Sequence, residues 1–205
     1  MSAERTGAAS QADAAVGKAA AIADAARAGG KRGLPPVERW NPPYCGEIDM
    51  RIAWDGSWHY QGTPIGRPAL VKLFSTVLRK DPERYVLVTP VERVGIAVED
   101  VPFLAVEMRR EGEGDQQELH FTTNLGDETT AGPEHPMRFV REEQGGYRPY
   151  VHVRGGLEAR LTRALYLEIV ALATIEEIDG KAMLALRSGR ALFPIAPAAE
   201  LDDAR

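Results

Sequence analysis

From Glu47 to Trp54 the chain alternates, with Ile48, Met50, Ile52 and Trp54 set against Glu47, Asp49 and Arg51. A period of two is the pleat of a strand with one face buried, so this segment predicts a half-buried strand. Asp55-Gly56 then predicts a hairpin turn, and the chain returns through Ser57-Trp-His-Tyr60. The period changes at Pro68, a residue suited to the first helical position because its missing N–H is not needed there. Leu70, Leu73, Phe74, Val77 and Leu78 form one apolar stripe, predicting a helix from Pro68 to about Lys80 that ends at Asp81-Pro82. Further along, the pattern predicts strands over 85–89, 91–99, 103–110, 117–123, 137–143 and 147–153, with a polar loop over 124–136. Leu157, Leu161, Leu165, Ile169 and Leu172 predict a second helix over 157–174. A closing hairpin, 182–187 and 190–195, turns at Ser188-Gly189.

The order strand, glycine-rich turn, helix, strand occurs twice, over 58–90 and over 147–194. Tyr60 stands ten residues before Leu70, and Tyr147 ten before Leu157. The pattern predicts an α+β protein of two related units, each an antiparallel sheet with one helix, divided near Val91. The units are expected over 34–91 and 92–197, between disordered tails at 1–33 and 198–205. The first tail is rich in Ala, Gly, Ser and Gln and holds too few large aliphatics to offset its ordering entropy, though Ala12–Ala28 has helical propensity. A seam between duplicated units is a natural place for a ligand cleft.

Charge narrows the partners. The chain carries a net −5; the stretch through Arg39 is +2 and the remainder −7. An acidic body repels duplex nucleic acid, whose binding depends on neutralising phosphates with Lys and Arg. Cys45 is the single cysteine, which excludes an intrachain disulfide and a thiolate metal cluster. With no apolar run of about 20 residues and no secretory pattern at the N-terminus, a cytoplasmic location off the membrane is expected. The motifs of known chemistry are missing from the sequence: Gly29-Gly-Lys-Arg-Gly33 lacks the Ser or Thr of a phosphate loop, and the four histidines do not follow a metal-binding spacing. No cofactor is expected.

Several phrases together carry a family likeness. They are Trp58-His-Tyr-Gln-Gly62, Tyr85-Val-Leu-Val-Thr-Pro-Val-Glu92, Val98-Glu-Asp-Val-Pro-Phe103 and Arg154-Gly-Gly-Leu-Glu-Ala159 with Arg163. Over roughly Pro36 to Pro194 the chain resembles the family known as domain of unknown function 1285. That resemblance implies two related small domains, the second superficially like pleckstrin-homology folds. It also implies a nucleotide-like ligand bound between them in signalling, and no established activity.

The candidate binding residues lie in both units. In 149–154 the pleat sets Tyr150, His152 and Arg154 opposite Val151 and Val153, and in 119–124 it sets His120, Thr122 and Asn124 opposite Leu119, Phe121 and Thr123. These polar rows would line a groove, or they form the solvated outside of a sheet. Arg67, Arg154 and Arg163 are candidates for a phosphate, because a guanidinium binds phosphate oxygens in pairs. Tyr60 and Tyr150 are candidates for stacking a ring. Trp58 fits the core better than a site. Glu92 and Asp100 serve either as ligand contacts or as turn and ion-pair residues. The expected function is non-enzymatic binding of a small phosphorylated or nucleotide-like ligand. Its rivals are hydrolysis of a phosphorylated substrate by Glu92, Asp100 and His152, and a protein-interaction module of unspecified partner.

Overall fold

In the computed structural model, described for residues 34–202 together with Ile22 and Asp24, the chain divides into two compact units at Asp100/Val101. Of the Ala-rich segment 1–33, only Ile22 and Asp24 are among the described residues; both are helical and Ile22 is buried. The remainder of that segment and residues 203–205 lie outside them.

The first unit starts with a 3-10 turn, Val37–Arg39, and then β1 (Tyr44–Ile52), β2 (Trp58–Tyr60) and β3 (Thr63–Pro64). Helix α1 (Pro68–Thr76) follows, then β4 (Leu78–Asp81), β5 (Arg84–Val88) and β6 (Arg93–Val98). The sheet order is β3-β2-β1-β6-β5-β4: two antiparallel meanders joined by a parallel β1–β6 pair. The alternation along β1 works as expected, with Ile48, Met50 and Ile52 buried, but Trp54 lies past the strand end and is exposed. Val86, Leu87 and Val88 are all fully buried, so both faces of β5 are covered. Helix α1 packs its stripe inward through Phe74, whose ring stacks on Trp58 at 6.3 Å, and Trp58 is a core residue. Where β1 meets β6, Gly95 leaves room for a side chain: a Cβ there would lie 2.7 Å from the Tyr44 hydroxyl.

Two expectations fail in this unit. The helix does not run to Lys80, because Val77 ends it and β4 begins at Leu78. Arg79 explains the switch: nearly buried, it donates to Asp81 (2.8 Å) and to the carbonyls of Val37 (2.9 Å) and Trp40 (2.6 Å). The seam is also later than Val91, since β6 pairs with both β1 and β5 and therefore belongs to the first sheet.

The second unit contains β7 (Phe103–Glu111), β8 (Glu118–Thr123), β9 (Glu128–Thr130), β10 (Met137–Arg141), β11 (Tyr147–Arg154) and β12 (Leu157–Leu161). Helix α2 (Arg163–Leu172) precedes a three-stranded sheet of β13 (Thr174–Ile178), β14 (Lys181–Ser188) and β15 (Ala191–Pro197), and a short helix α3 (Ala199–Asp202) ends it. The larger sheet has the order β10-β11-β12-β7-β8-β9, with a parallel β7–β12 pair at its centre. Read from its other edge, this is β9-β8-β7-β12-β11-β10, strand for strand the order of the first sheet. The duplication is therefore present, over Tyr44–Val98 and Phe103–Leu161, in a different alignment from the one the sequence suggests. The helices do not correspond: α1 joins the third and fourth strands of its sheet, whereas α2 follows the sixth.

The expected helix over 157–174 is split. Leu157, Ala159 and Leu161 point inward with the period of a strand, and β12 is hydrogen-bonded on both sides, to β11 and β7. Residues 198–202 are not a tail either, because Glu200 accepts hydrogen bonds from Arg141 and Tyr147, each at 3.0 Å. The small sheet is anchored by Ser188, which is fully buried. Its hydroxyl accepts from the Leu119 N–H and donates to the Ala131 carbonyl, both at 2.8 Å.

Candidate functional site

The side chains that converge lie on the outer face of β7, β8 and β9. Leu119, Phe121 and Thr123 of β8 face the core, which sends His120 and Thr122 the other way. Strand register then lines up cross-strand rows: Glu111 with Glu118, Arg109 with His120 and Thr130, and Glu107 with Thr122 and Glu128. A cavity of about 360 Å³ opens over this face, lined by Arg109, His120, Thr122, Glu128, Thr130 and His135 among others.

Histidines dominate its electrostatics. His120 Nδ1 lies 2.7 Å from the Thr130 hydroxyl, while its Nε2 stands 3.5 Å from a Glu111 carboxylate oxygen and 3.7 Å from one of Glu118. His135 comes from the 131–136 connection, where the Gly132 N–H donates to its carbonyl at 3.1 Å. Its ring stacks on His152 with centroids 5.3 Å apart and planes 26° from parallel. His152 is itself fixed: its Nε2 accepts from the Gly156 N–H (3.2 Å) and its carbonyl accepts from the Thr129 hydroxyl (3.1 Å). With Nε2 accepting, the neutral ring carries its proton on Nδ1. That atom is buried without a hydrogen-bond partner, as are Nδ1 of His135 and Nε2 of His120. Arg109 is paired with Glu111 and largely exposed.

The other candidates are arranged differently from the sequence expectation. Tyr150 is buried, with the Arg138 guanidinium over its ring at 3.8 Å, so it presents no open face for stacking. Arg154 pairs with Asp127 at 2.8 Å and lies over Phe103 at 5.0 Å. Burial lowers the Arg154 pKa and the Asp127 charge offsets part of that effect. Its charge is committed within the fold. Arg163 is the exposed first residue of α2, apart from these groups in role.

In the first unit Tyr60 ends β2 with a buried, unpartnered hydroxyl. Its pKa is raised by burial and then by the Asp49 charge. Arg67 is the exposed N-cap residue of α1 and makes no side-chain capping bond. Glu92 belongs to a turn in which its N–H donates to the Thr89 hydroxyl (3.1 Å) and its carbonyl accepts the Thr89 N–H (2.8 Å). Asp100 follows the far end of β6. Glu92 and Asp100 thus lie off opposite ends of that six-residue strand, roughly 20 Å long at the usual rise per residue, and do not share a site. Arg109, Thr130 and His135 are not among the residues that the sequence pattern singles out. A register argument between β7 and β8 would have found the first, but nothing local marks His135, which arrives on a loop.

The model of the DUF1285 N-terminal domain, a domain of unknown function, matches residues 35–101, and that of the DUF1285 C-terminal domain matches 102–195. The two matches meet within one residue of the division between the two units. No curated protein matches the chain. The crystal structure of a DUF1285 family protein from Silicibacter pomeroyi DSS-3 is 48% identical with a TM-score of 0.79, over 86% of this chain and 95% of that one. A DUF1285 family protein from Shewanella baltica OS155 is 29% identical with a TM-score of 0.48, over 60% of this chain and 91% of that one. Among the described residues no helix is long and apolar enough to cross a membrane. With both halves matched and one solved relative nearly half identical along most of its length, the chain belongs to the DUF1285 family.

Proposed function

We propose that the second unit binds a small phosphorylated, nucleotide-like ligand on the outer face of β7–β9. The observation that supports this reading is the cavity of about 360 Å³ in which Arg109, His120, Thr130 and His135 converge. Cavities from about 300 Å³ upward accept small-molecule ligands, and this lining is polar enough to favour a charged one. A guanidinium offers paired donors to phosphate oxygens. Arg109 is exposed and paired only at the surface, where such ion pairs contribute about 0–1 kcal/mol. A phosphate can therefore take over the guanidinium at little cost. Binding is favoured over hydrolysis because Glu92 and Asp100 stand at opposite ends of β6.

The test is calorimetric titration of the full chain, without added metal, against nucleoside mono-, di- and triphosphates and their cyclic and alarmone relatives. One class is expected to bind saturably, with Arg109→Gln weakening it at least tenfold and Arg163→Gln leaving it unchanged. Flat titrations to millimolar concentration, or equal affinity in Arg109→Gln, would overturn the reading.

A further inference from the structure

Beside the cavity the β7–β8 hairpin sets Glu111 and Glu118 directly opposite each other, with His120 on the same face two residues further along β8. Like charges in facing strand positions repel. Arg109 pairs with Glu111, and among the described residues no arginine pairs with Glu118. His120 sharpens the conflict. Its Nδ1, 2.7 Å from the Thr130 hydroxyl, can donate to that oxygen or accept from it; when it donates, the Nε2 lone pair of the neutral ring is directed at both carboxylates. Nε2 is buried and makes no hydrogen bond. In that tautomer three electron-pair donors face one another, Glu111 sharing its charge with Arg109, and a cation among them would be held by all three.

The distances suit a metal ion. One atom from each of Glu111, Glu118 and His120 lies within 4.8 Å of the other two, and the His120 Nε2 edges are 3.5 and 3.7 Å. A tetrahedral ion with bonds near 2.05 Å has ligand–ligand edges of about 3.3 Å; the two histidine edges are close to that, and the exposed glutamates would close the remaining edge, which is 4.8 Å at most. An imidazole nitrogen with two carboxylates suits zinc and its neighbours rather than magnesium or calcium, which take oxygen ligands in larger number. The contact from Thr130 to the far ring nitrogen is the arrangement that orients a metal-binding histidine.

We propose that Glu111, Glu118 and His120 form a three-ligand site for a zinc-class divalent ion, leaving a fourth position open, with Thr130 as the positioning residue. This goes beyond the ligand reading and does not rest on it. The alternative is the other tautomer, in which Nδ1 accepts from Thr130 and the Nε2–H faces the carboxylates, holding the same three groups together without metal.

Titration of the full chain with Zn²⁺ against a chromophoric chelator separates the two. One equivalent is expected to bind at micromolar concentration or tighter, and millimolar Mg²⁺ is not expected to displace it. His120→Asn and Glu118→Gln should each weaken binding at least tenfold; Glu118 is exposed, so its variant keeps the test open if the histidine variant fails to fold. Thr130→Val should weaken binding severalfold, and His152→Asn should leave it unchanged. Co²⁺ in place of zinc should give the visible bands of a four-coordinate N/O site. Absence of saturable binding, or binding that survives both Glu118→Gln and His120→Asn, would refute the site. Nucleotide binding is measured without metal, so the two readings fail separately.

Discussion

Ser188→Ala should destabilise the second unit far more than loss of a single hydroxyl usually does. The Ser188 side chain is completely buried and joins three parts of that unit: β14, the Leu119 N–H of β8, and the Ala131 carbonyl beyond β9. Alanine would strand one buried donor and one buried acceptor at once. Each unsatisfied group costs about 1–3 kcal/mol, with the carbonyl at the lower end, so the loss should be about 2–3 kcal/mol. For a chain of this length that corresponds to a fall in Tm of roughly 5–10 °C. The assay is denaturant and thermal unfolding followed by far-ultraviolet circular dichroism. All three tryptophans, Trp40, Trp54 and Trp58, belong to the first unit, so intrinsic tryptophan fluorescence would miss the event. Amide exchange at Leu119 and Gly189 gives the local readout, since Gly189 N–H bonds to the Gln117 carbonyl at 3.0 Å beside the same junction. Thr174→Ala is the control: Thr174 is exposed and its hydroxyl donates to half-buried Glu176, and its loss should fall within about 0.5 kcal/mol. If Ser188→Ala costs no more than that control, with exchange at Leu119 unaltered, the view of Ser188 as the anchor of the small sheet is wrong.

Two further outcomes follow from particular contacts. Gly189 and Gly180 both have positive φ, +55° and +72°, yet a Cβ on Gly189 would lie 2.7 Å from the Ala131 carbonyl oxygen while one on Gly180 meets open space. Gly180→Ala should therefore cost about 1 kcal/mol for its conformation alone, and Gly189→Ala clearly more, measured by the same unfolding curves; equal losses would argue against a tight junction. Glu99 accepts the Trp54 N–H at 2.7 Å and pairs with Arg51, and these contacts lower its carboxyl pKa. A depressed folded pKa means that its contribution is fully present above the unfolded carboxylate range and is lost as pH falls through the lower folded value. Carboxyl-selective NMR titration should find Glu99 below the ordinary glutamate range, and Arg51→Ala should move it only part of the way back, because the backbone donor is the larger cause.

Individual strands were legible where alternation was clean. In β1 the sequence of Ile48, Met50 and Ile52 against charged neighbours has one physical solution, a pleat with one buried face. The misreadings have a common origin. Leu157-Glu-Ala-Arg-Leu161 is built from good helix formers, and its two leucines fit helical spacing as well as they fit β pleating. Partners on both sides, β11 and β7, decide for strand. Leu78-Arg-Lys-Asp81 has the same ambiguity, and Arg79 resolves it by bonding Asp81 and two distant carbonyls. The small strand β9 lies inside a stretch that reads as polar loop, because a strand of three residues shows too little alternation to register.

Duplication was visible in the sequence as a repeated rhythm, but its true alignment was not. Helices dominate a one-dimensional reading, and the two helices sit at different points of the repeat, after the third strand in one unit and after the sixth in the other. Only strand pairing reveals that β1–β6 and β7–β12 share one topology. The candidate site follows the same rule. The sequence by itself determined that His120 and Thr122 face away from the core, because that follows from a period of two within one strand. The tertiary structure alone decided what they face: Arg109 and Glu111 by register with β7, Thr130 by register with β9, and His135 by a loop held against His152. Alternation is local and can be read along the chain, whereas register is settled by hydrogen bonds between segments whose spacing no single segment encodes.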